Sequence, residues 1–431
     1  MSSASFTKVQ TPKGTRDFLP AETDKRNVIE NSFRRTFKLW SYREIRTPTV
    51  EYFDALTSGV GAELQDSMFI FQDRSGRLLA LRAEMTAPVA RAVSTELSTE
   101  TKPLRLYYLC NLFRYDEPQA GRQREFWQAG AELLGSSSPK ADAELVTLML
   151  SALENIGLKS VQIDVGHVGL YKAIVKTYGV DEETSNKIRV CIDKKDIAGL
   201  EQTLESAPIV EEAKEILRLL PTLRGGPEIL ERISQLLQEP LVKRCIEDLK
   251  VTIREISAFG ALDRINLNLG IIRGIAYYTG VVFEAFVPEL GIAIGAGGRY
   301  DELVKEFGKA GIPSVGFAIG IDRCMLALEK QNYDFKAEAI PKVIVLAAEE
   351  GLESAAVNIA SDLRKNGIPT ETDVSGWKLS KGLSYANKKN ILYAVIVAPK
   401  EWAKRKVVLR NMRDDSQKQL SVDKLVSTLQ E

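Results

Sequence analysis

The stretch between Leu104 and Leu134 restricts what this chain can fold into more than any other. Leu104 to Phe113 reads LRLYYLCNLF, and a second strand-like run passes through Phe126 to Leu134, with a polar Pro/Gly loop at Glu117–Gly121 between them. Two such runs around a turn-rich loop make a long hairpin, and a hairpin alone in water is at best marginally stable. The chain must therefore supply further strands. Candidates are Met68–Asp73 and Leu78–Arg82 around the turn Arg74-Ser75-Gly76, Arg264–Leu269 with a period of two, the almost wholly apolar Tyr278–Phe286, Gly291–Gly298 and Ser314–Gly320. The last runs straight into a helix containing Met325 and Leu328. Ile29, Phe33, Phe37 and Trp40 recur at helical spacing between Ala21 and Trp40, with Pro20 suited to the first turn. Glu44–Pro48 reads as extended, its proline fitting an edge. The expected class is α+β, an antiparallel sheet flanked by helices.

Two other regions differ in pattern. From about 169 to 257 the sequence is a series of Lys-, Glu- and Leu-rich helical segments, an expected helical insertion within a first domain of residues 1–330. After Pro341, apolar Val343–Ala347, helix Leu352–Asn366, strand Pro369–Thr372, helix Lys378–Lys389, apolar Ile391–Ala398, a hairpin and a helix from Ser421 predict a small α/β domain over 341–431. The 431 residues suit such a division. Net charge is zero overall, yet residues from 341 onward hold 15 Lys and Arg against 11 Asp and Glu, leaving the remainder at −4.

Composition excludes several chemistries. No run of 18 apolar residues offers a membrane span. The N-terminus MSSASFTKVQTPKG has no apolar signal core, and the four cysteines show no CxxC spacing, so a cytoplasmic location is expected and a zinc cage is not. A single histidine, His167, rules out multi-histidine metal sites; in Val165–Val168 it reads as a turn residue and takes no catalytic role. No metal ligands are assigned. There is no GxxxxGK[ST] loop, and Gly295–Gly298 lacks dinucleotide-binding spacing.

Arginines at strand ends and turns stand out instead: Arg114, Arg122 and Arg124 about the hairpin, Arg273 in Arg273–Gly280 (RGIAYYTG), and Arg323 after Gly316–Asp322. An arginine ending an apolar strand is costly to desolvate unless it meets an anion. Several converging from different strands suit a polyphosphate. Phe126 offers a flat face to a nucleobase. The bland alternative is a set of ordinary salt bridges, with Glu84 and Glu132 as their partners and Tyr277 and Tyr278 as core aromatics.

On Thr11–Asp17, Arg82–Thr86, Phe113–Gly135, Arg273–Tyr278, Gly297–Asp301 and the segment ending at Arg323, the chain resembles the class II aminoacyl-tRNA synthetases, and specifically the archaeal-type histidyl-tRNA synthetase family. The resemblance implies a histidine–tRNA ligase that activates L-histidine with ATP to the adenylate and transfers it to tRNA(His), with ATP and Mg²⁺ required. It implies an ATP site of Arg114, Asp116, Arg122, Phe126 and Arg323. It implies a histidine site of Glu84, Met85, Thr86, Arg114, Gln128, Glu132, Arg273, Tyr277 and Tyr278, with Arg273 and Arg114 as catalytic residues. It implies an anticodon-binding domain from 341, tRNA contacts at Gln119 and at Lys404-Arg405-Lys406, and a C2 homodimer through the segment around Pro48.

The sequence departs from the family pattern at Ala83, Met85, Asp116, Ala276 and Trp127. A rival reading is a catalytically silent paralogue serving as regulatory subunit of ATP phosphoribosyltransferase, which Gly166–Gly169, Leu223–Gly226 and Gln128–Glu132 resemble. Arg273 and the complete C-terminal domain oppose it.

Overall fold

The computed structural model describes residues 10–117, 123–237, 239–272, 277–308, 310–335 and 342–430. It divides into two compact units, Met1–Phe335 and Lys336–Glu431.

The first unit is built on the predicted hairpin. Leu104–Phe113 and Glu125–Leu134 pair antiparallel along their whole length, from Leu104 opposite Leu134 to Phe113 opposite Glu125. Outward from the return strand come Ser314–Gly320, Ala293–Arg299, Val281–Phe286 and Gln162–His167, each antiparallel to the one before. Among the described residues of this sheet, parallel pairs lie on the flanks: Arg43–Glu44 beside the hairpin, and Ile265–Asn268 beside Gln162–His167. The sheet is therefore mixed, with an antiparallel centre. The long helix Pro139–Asn155 and the helix Pro20–Leu39 pack on it, burying Phe33, Phe37, Leu145, Leu148 and Phe317 in one core. Arg299 ties this layer together from within: it donates to Asp142 on that helix at 2.9 Å, to Asp301 at 3.1 Å and to the carbonyl of Ser136 at 2.9 Å. A buried arginine with its donors satisfied this way is structural.

The segments between 168 and 258 form the helices Val168–Thr177, Glu182–Lys194, Ile197–Ser206, Glu211–Leu219, Glu228–Leu236 and Pro240–Ala258. They are not sealed off from the sheet. Arg224–Gly225 pairs with Leu267 and Asn268 at its edge, and Ile188, Leu204, Leu217 and Leu249 share the core of the sheet layer. A separate small sheet, Val50–Tyr52, Leu78–Leu81 and Ile70–Gln72, carries the turn at Asp73–Gly76. There Asp73 accepts from the backbone of Ser75, and Gly76 takes φ +82°, a conformation open to glycine at little cost.

The second unit is an α/β layer. Its sheet runs Thr370–Thr372, Val343–Ala347, Tyr393–Val397, Lys406–Asn411 and Gln417–Ser421, parallel through the first three strands and antiparallel through the last two pairings. Helices Glu353–Lys365, Leu379–Lys388 and Val422–Gln430 cover it, with Val345, Ile359, Leu363, Val395 and Leu425 in the main core.

Candidate active site

A cavity of about 410 Å³ opens on the sheet of the first unit. Its wall takes Glu84, Met85 and Thr86 from the start of one helix, Arg114 and Asp116 from the end of the outgoing hairpin strand, and Phe126, Trp127 and Gln128 from the return strand. Tyr277, Tyr278 and Glu284 flank it, with Gly316 to Ala318 and Arg323 from the last central strand and its helix. Residues scattered over more than 200 positions meet because the strands carrying them are neighbours in one sheet.

Glu84 is 4% exposed, and both its oxygens are engaged: the backbone N–H of Thr86 donates to one at 2.5 Å and that of Ala87 to the other at 2.8 Å. The carboxyl thereby caps the Thr86–Ser94 helix, which fixes its orientation. Burial raises its pKa, with the helix N–H groups and then Arg114 pulling the other way. Arg114 Nε donates to the Ala83 carbonyl at 2.9 Å, and its guanidinium lies 5.3 Å from the Phe126 ring centroid, within cation–π range. Arg323 donates to the Ala293 carbonyl at 2.7 Å. Each arginine is thus pinned to backbone by one nitrogen while lining the cavity.

Glu132 sits deeper, 1% exposed on the return strand. The phenol of Tyr108 donates to Oε1 at 3.3 Å and that of Tyr300 donates to Oε2. Burial pushes the Glu132 pKa up to about 8; the Tyr300 hydrogen bond opposes this and the nearby Glu84 adds to it. Burial also holds Tyr108 and Tyr300 protonated, so both remain donors. Directly across the sheet stands Gly316, where a Cβ would fall 1.5 Å from Glu132 Oε2, so only glycine admits the carboxyl. An aromatic chain completes the wall: Tyr278 meets Tyr277 edge-on at 5.3 Å, and Tyr277 meets Tyr300 at 5.7 Å. The bland reading of these carboxyls as arginine partners fails for Glu132, whose hydrogen-bond donors are tyrosines.

The structure brings together Glu84, Met85, Thr86, Arg114, Asp116, Phe126, Gln128, Tyr277, Tyr278 and Arg323 on one cavity, with Glu132 behind its wall. Gln119, Arg122 and Arg273 lie outside the described residues. Lys404, Arg405 and Lys406 are exposed on the other unit, at the turn entering the Lys406–Asn411 strand. Sequence reasoning missed Tyr108, Tyr300 and Gly316; Tyr300 was visible inside Gly297–Asp301, whereas Tyr108 looks like any strand aromatic. Trp127 gains a place: its ring lies 5.2 Å from the Arg26 guanidinium, and its backbone N–H donates at 3.0 Å to Asp322, which Arg26 also contacts at 2.5 Å. This group anchors the start of the helix that presents Arg323. His167 caps the Val168–Thr177 helix, its Nδ1 accepting from the Gly169 N–H at 3.1 Å. Burial depresses its pKa to about 4, so it is neutral.

A family model described as Histidyl-tRNA synthetase matches residues 14–324, and one described as Anticodon binding domain matches 342–431. The chain belongs to the histidyl-tRNA synthetase family. The histidine–tRNA ligase of Methanocaldococcus jannaschii is 41% identical over 419 residues, 97% of this chain and 99% of that protein. A Bacillus halodurans C structure, described as an ATP phosphoribosyltransferase regulatory subunit/histidyl-tRNA synthetase, superposes with TM-score 0.81 at 29% identity. It covers 93% of this chain and 100% of its own. The histidyl-tRNA synthetase of Nostoc sp. PCC 7120 shares the fold, with TM-score 0.80 at 22% identity over 98% of this chain and 99% of that one. The family's two parts, a catalytic sheet and an anticodon-binding domain, correspond in sequence to the two compact units.

Proposed function

We propose that the cavity activates L-histidine with ATP and that the adenylate then passes its histidyl group to tRNA(His). The ligase class follows from the family: the chain is an aminoacyl-tRNA synthetase, and the regulatory-paralogue reading gains no support over it. The observation that carries the pocket assignment is the buried pair Glu84 and Glu132 beside Arg114 and Arg323, carboxyls for an amino acid's cation and ring N–H next to cations for phosphates.

In this reading Glu84, Thr86 and Gln128 receive the α-ammonium, and Met85 shapes the floor beside them. Glu132, Tyr278 and Tyr277 face the imidazole. A ring N–H brought to Glu132 adds a donor to the two tyrosine phenols and offsets the desolvation that raises its pKa, whereas a side chain with no such donor forgoes that bond, which is the basis of selectivity. Phe126 stacks the adenine, Asp116 takes its amino group through water, and Arg114, Arg122 and Arg323 hold the phosphates. A histidine carboxylate oxygen attacks the α-phosphorus, the bond to the β-phosphate oxygen breaks, and pyrophosphate leaves. Arg114 and Arg273 neutralise charge developing on the α-phosphoryl oxygens. A tRNA terminal hydroxyl then attacks the activated carbonyl and AMP departs. We propose that Mg²⁺ accompanies the ATP phosphates, and we assign it no protein ligands.

Gln119 and the Lys404–Lys406 run are proposed to meet tRNA phosphates and the acceptor end, the +4 balance of the C-terminal residues favouring an RNA backbone. A C2 homodimer is proposed through the region of Pro48. Its support is the exposure of Val50, Tyr52, Ile70, Phe71 and Leu78, each 39 to 48% accessible, on the small sheet. The proposed location is the cytoplasm; among the described residues no helix is long and apolar enough to cross a membrane. The test is histidine-dependent exchange of pyrophosphate into ATP. Exchange above background is expected, and its absence while histidine and ATP both bind would return the silent paralogue.

A further inference from the structure

The backbone entering the Val281–Phe286 strand stands between two cavities. Tyr278 and Val282 line the first, whereas Thr279, Gly280 and Val281 line a second, of about 360 Å³, shared with Lys172 and Arg244. Hydrogen bonds hold this segment alongside the packing of Tyr277, Tyr278 and Val281. Thr279 N–H donates to the Arg299 carbonyl at 2.8 Å, and Val168 N–H donates to the Gly280 carbonyl at 2.9 Å. Lys172 Nζ donates to the Tyr278 carbonyl at 2.7 Å. Val168 and Lys172 are four apart on the Val168–Thr177 helix and so reach the segment from one face. Thr279 adds side-chain bonds of its own, its Oγ1 donating to the Arg299 carbonyl at 3.3 Å and accepting from the Asp301 N–H at 3.1 Å, and Lys172 supplies the side-chain contact that reaches the segment from the helix.

We propose that Lys172 is a positioning residue for the histidine pocket, holding the Tyr278 carbonyl so that the Tyr278, Tyr277 and Tyr300 rings stand in register with Glu132. The route is continuous: lysine to the Tyr278 backbone, then edge-on ring contacts at 5.3 and 5.7 Å, then the Tyr300 phenol to Glu132. Lys172 touches no substrate and acts through the tyrosines alone. The helix that carries it is the first of the series following the Gln162–His167 strand, so this contact links those helices to amino-acid binding.

The inference rests on the proposed histidine site, and the experiment separates the two. Steady-state pyrophosphate exchange on the full-length protein compares wild type with Lys172→Met, Lys172→Gln and Lys172→Arg. Losing a charged hydrogen bond should raise the KM for histidine about tenfold in Lys172→Met, leaving kcat and the KM for ATP within about twofold. Lys172→Gln should fall between, and Lys172→Arg should recover most of the loss. A wild-type histidine KM in a folded Lys172→Met protein overturns the inference while leaving the site standing. Equal rises in both KM values, or no graded recovery across the series, overturns it as well by showing general loosening. No exchange in the wild type removes the site assignment and the inference with it.

Discussion

Replacing Gly316 by alanine tests the buried carboxyl cluster at its tightest point. The new Cβ would lie 1.5 Å from Glu132 Oε2, 2.4 Å from its Cδ and 2.9 Å from the Ala131 carbonyl oxygen. Glu132 must retreat by about 1.5 Å to reach a tolerable contact, which is more than a hydrogen bond can stretch. The bonds from Tyr108 and Tyr300 are therefore lost. With each buried phenol left unpaired at a cost of about 1.5 kcal/mol, the loss is about 3 kcal/mol. Expressed in binding, that is a rise of about a hundredfold in the histidine KM, with a smaller effect on ATP. The assay is histidine-dependent pyrophosphate exchange beside chemical denaturation. Gly311→Ala is the control, because its Cβ would meet only the Asp301 carbonyl oxygen, at 3.4 Å. Adding Glu132→Ala to Gly316→Ala removes the main collision, so stability should return while histidine use does not. A Gly316→Ala protein with wild-type histidine dependence would refute the placement of Glu132 and the reasoning built on it.

Three further expectations follow from the same geometry. Glu132 has a folded pKa near 8, above the ordinary carboxyl value of 4.5, so its contribution to stability is complete below that ordinary value and is lost as pH rises through about 8. Denaturation at pH 5, 7 and 9 should show the wild type losing stability relative to Glu132→Gln by a few kcal/mol, on the order of 1.4 per pH unit, and parallel profiles would contradict this. Phe126→Ala should raise the KM for ATP about tenfold and leave the histidine KM nearly unchanged, since stacking on one base is worth about 1–3 kcal/mol; measured exchange kinetics decide it. Arg299→Met leaves Asp142 buried without its partner, so the first unit should lose about 3–5 kcal/mol in denaturant titration.

The hairpin and its neighbours were legible because strand runs, turn residues and strand-to-helix transitions are local signals. The Pro20–Leu39 helix and the strands and helices of the C-terminal domain fall within a few residues of where periodicity placed them. Strand order was not legible: nothing local says that Ser314–Gly320 pairs with Glu125–Leu134, or that Arg224–Gly225 leaves the helical segments to join the sheet edge. For the same reason the candidate site could be read only as separate clusters plus a family resemblance. Tyr108 supporting Glu132, Gly316 making room for it and Lys172 bracing Tyr278 are relations across the sheet, and sequence distance hides them. Arg299 shows the converse, a motif residue that proves to be structural.

The central claim is that this pocket selects histidine for attachment to tRNA. The most direct measurement supplies the protein with ATP, Mg²⁺, all twenty amino acids and a tRNA pool, then identifies the esterified amino acid and its tRNA. Histidine alone on tRNA(His) is the expected product. Another amino acid on the tRNA, or none, would contradict the account.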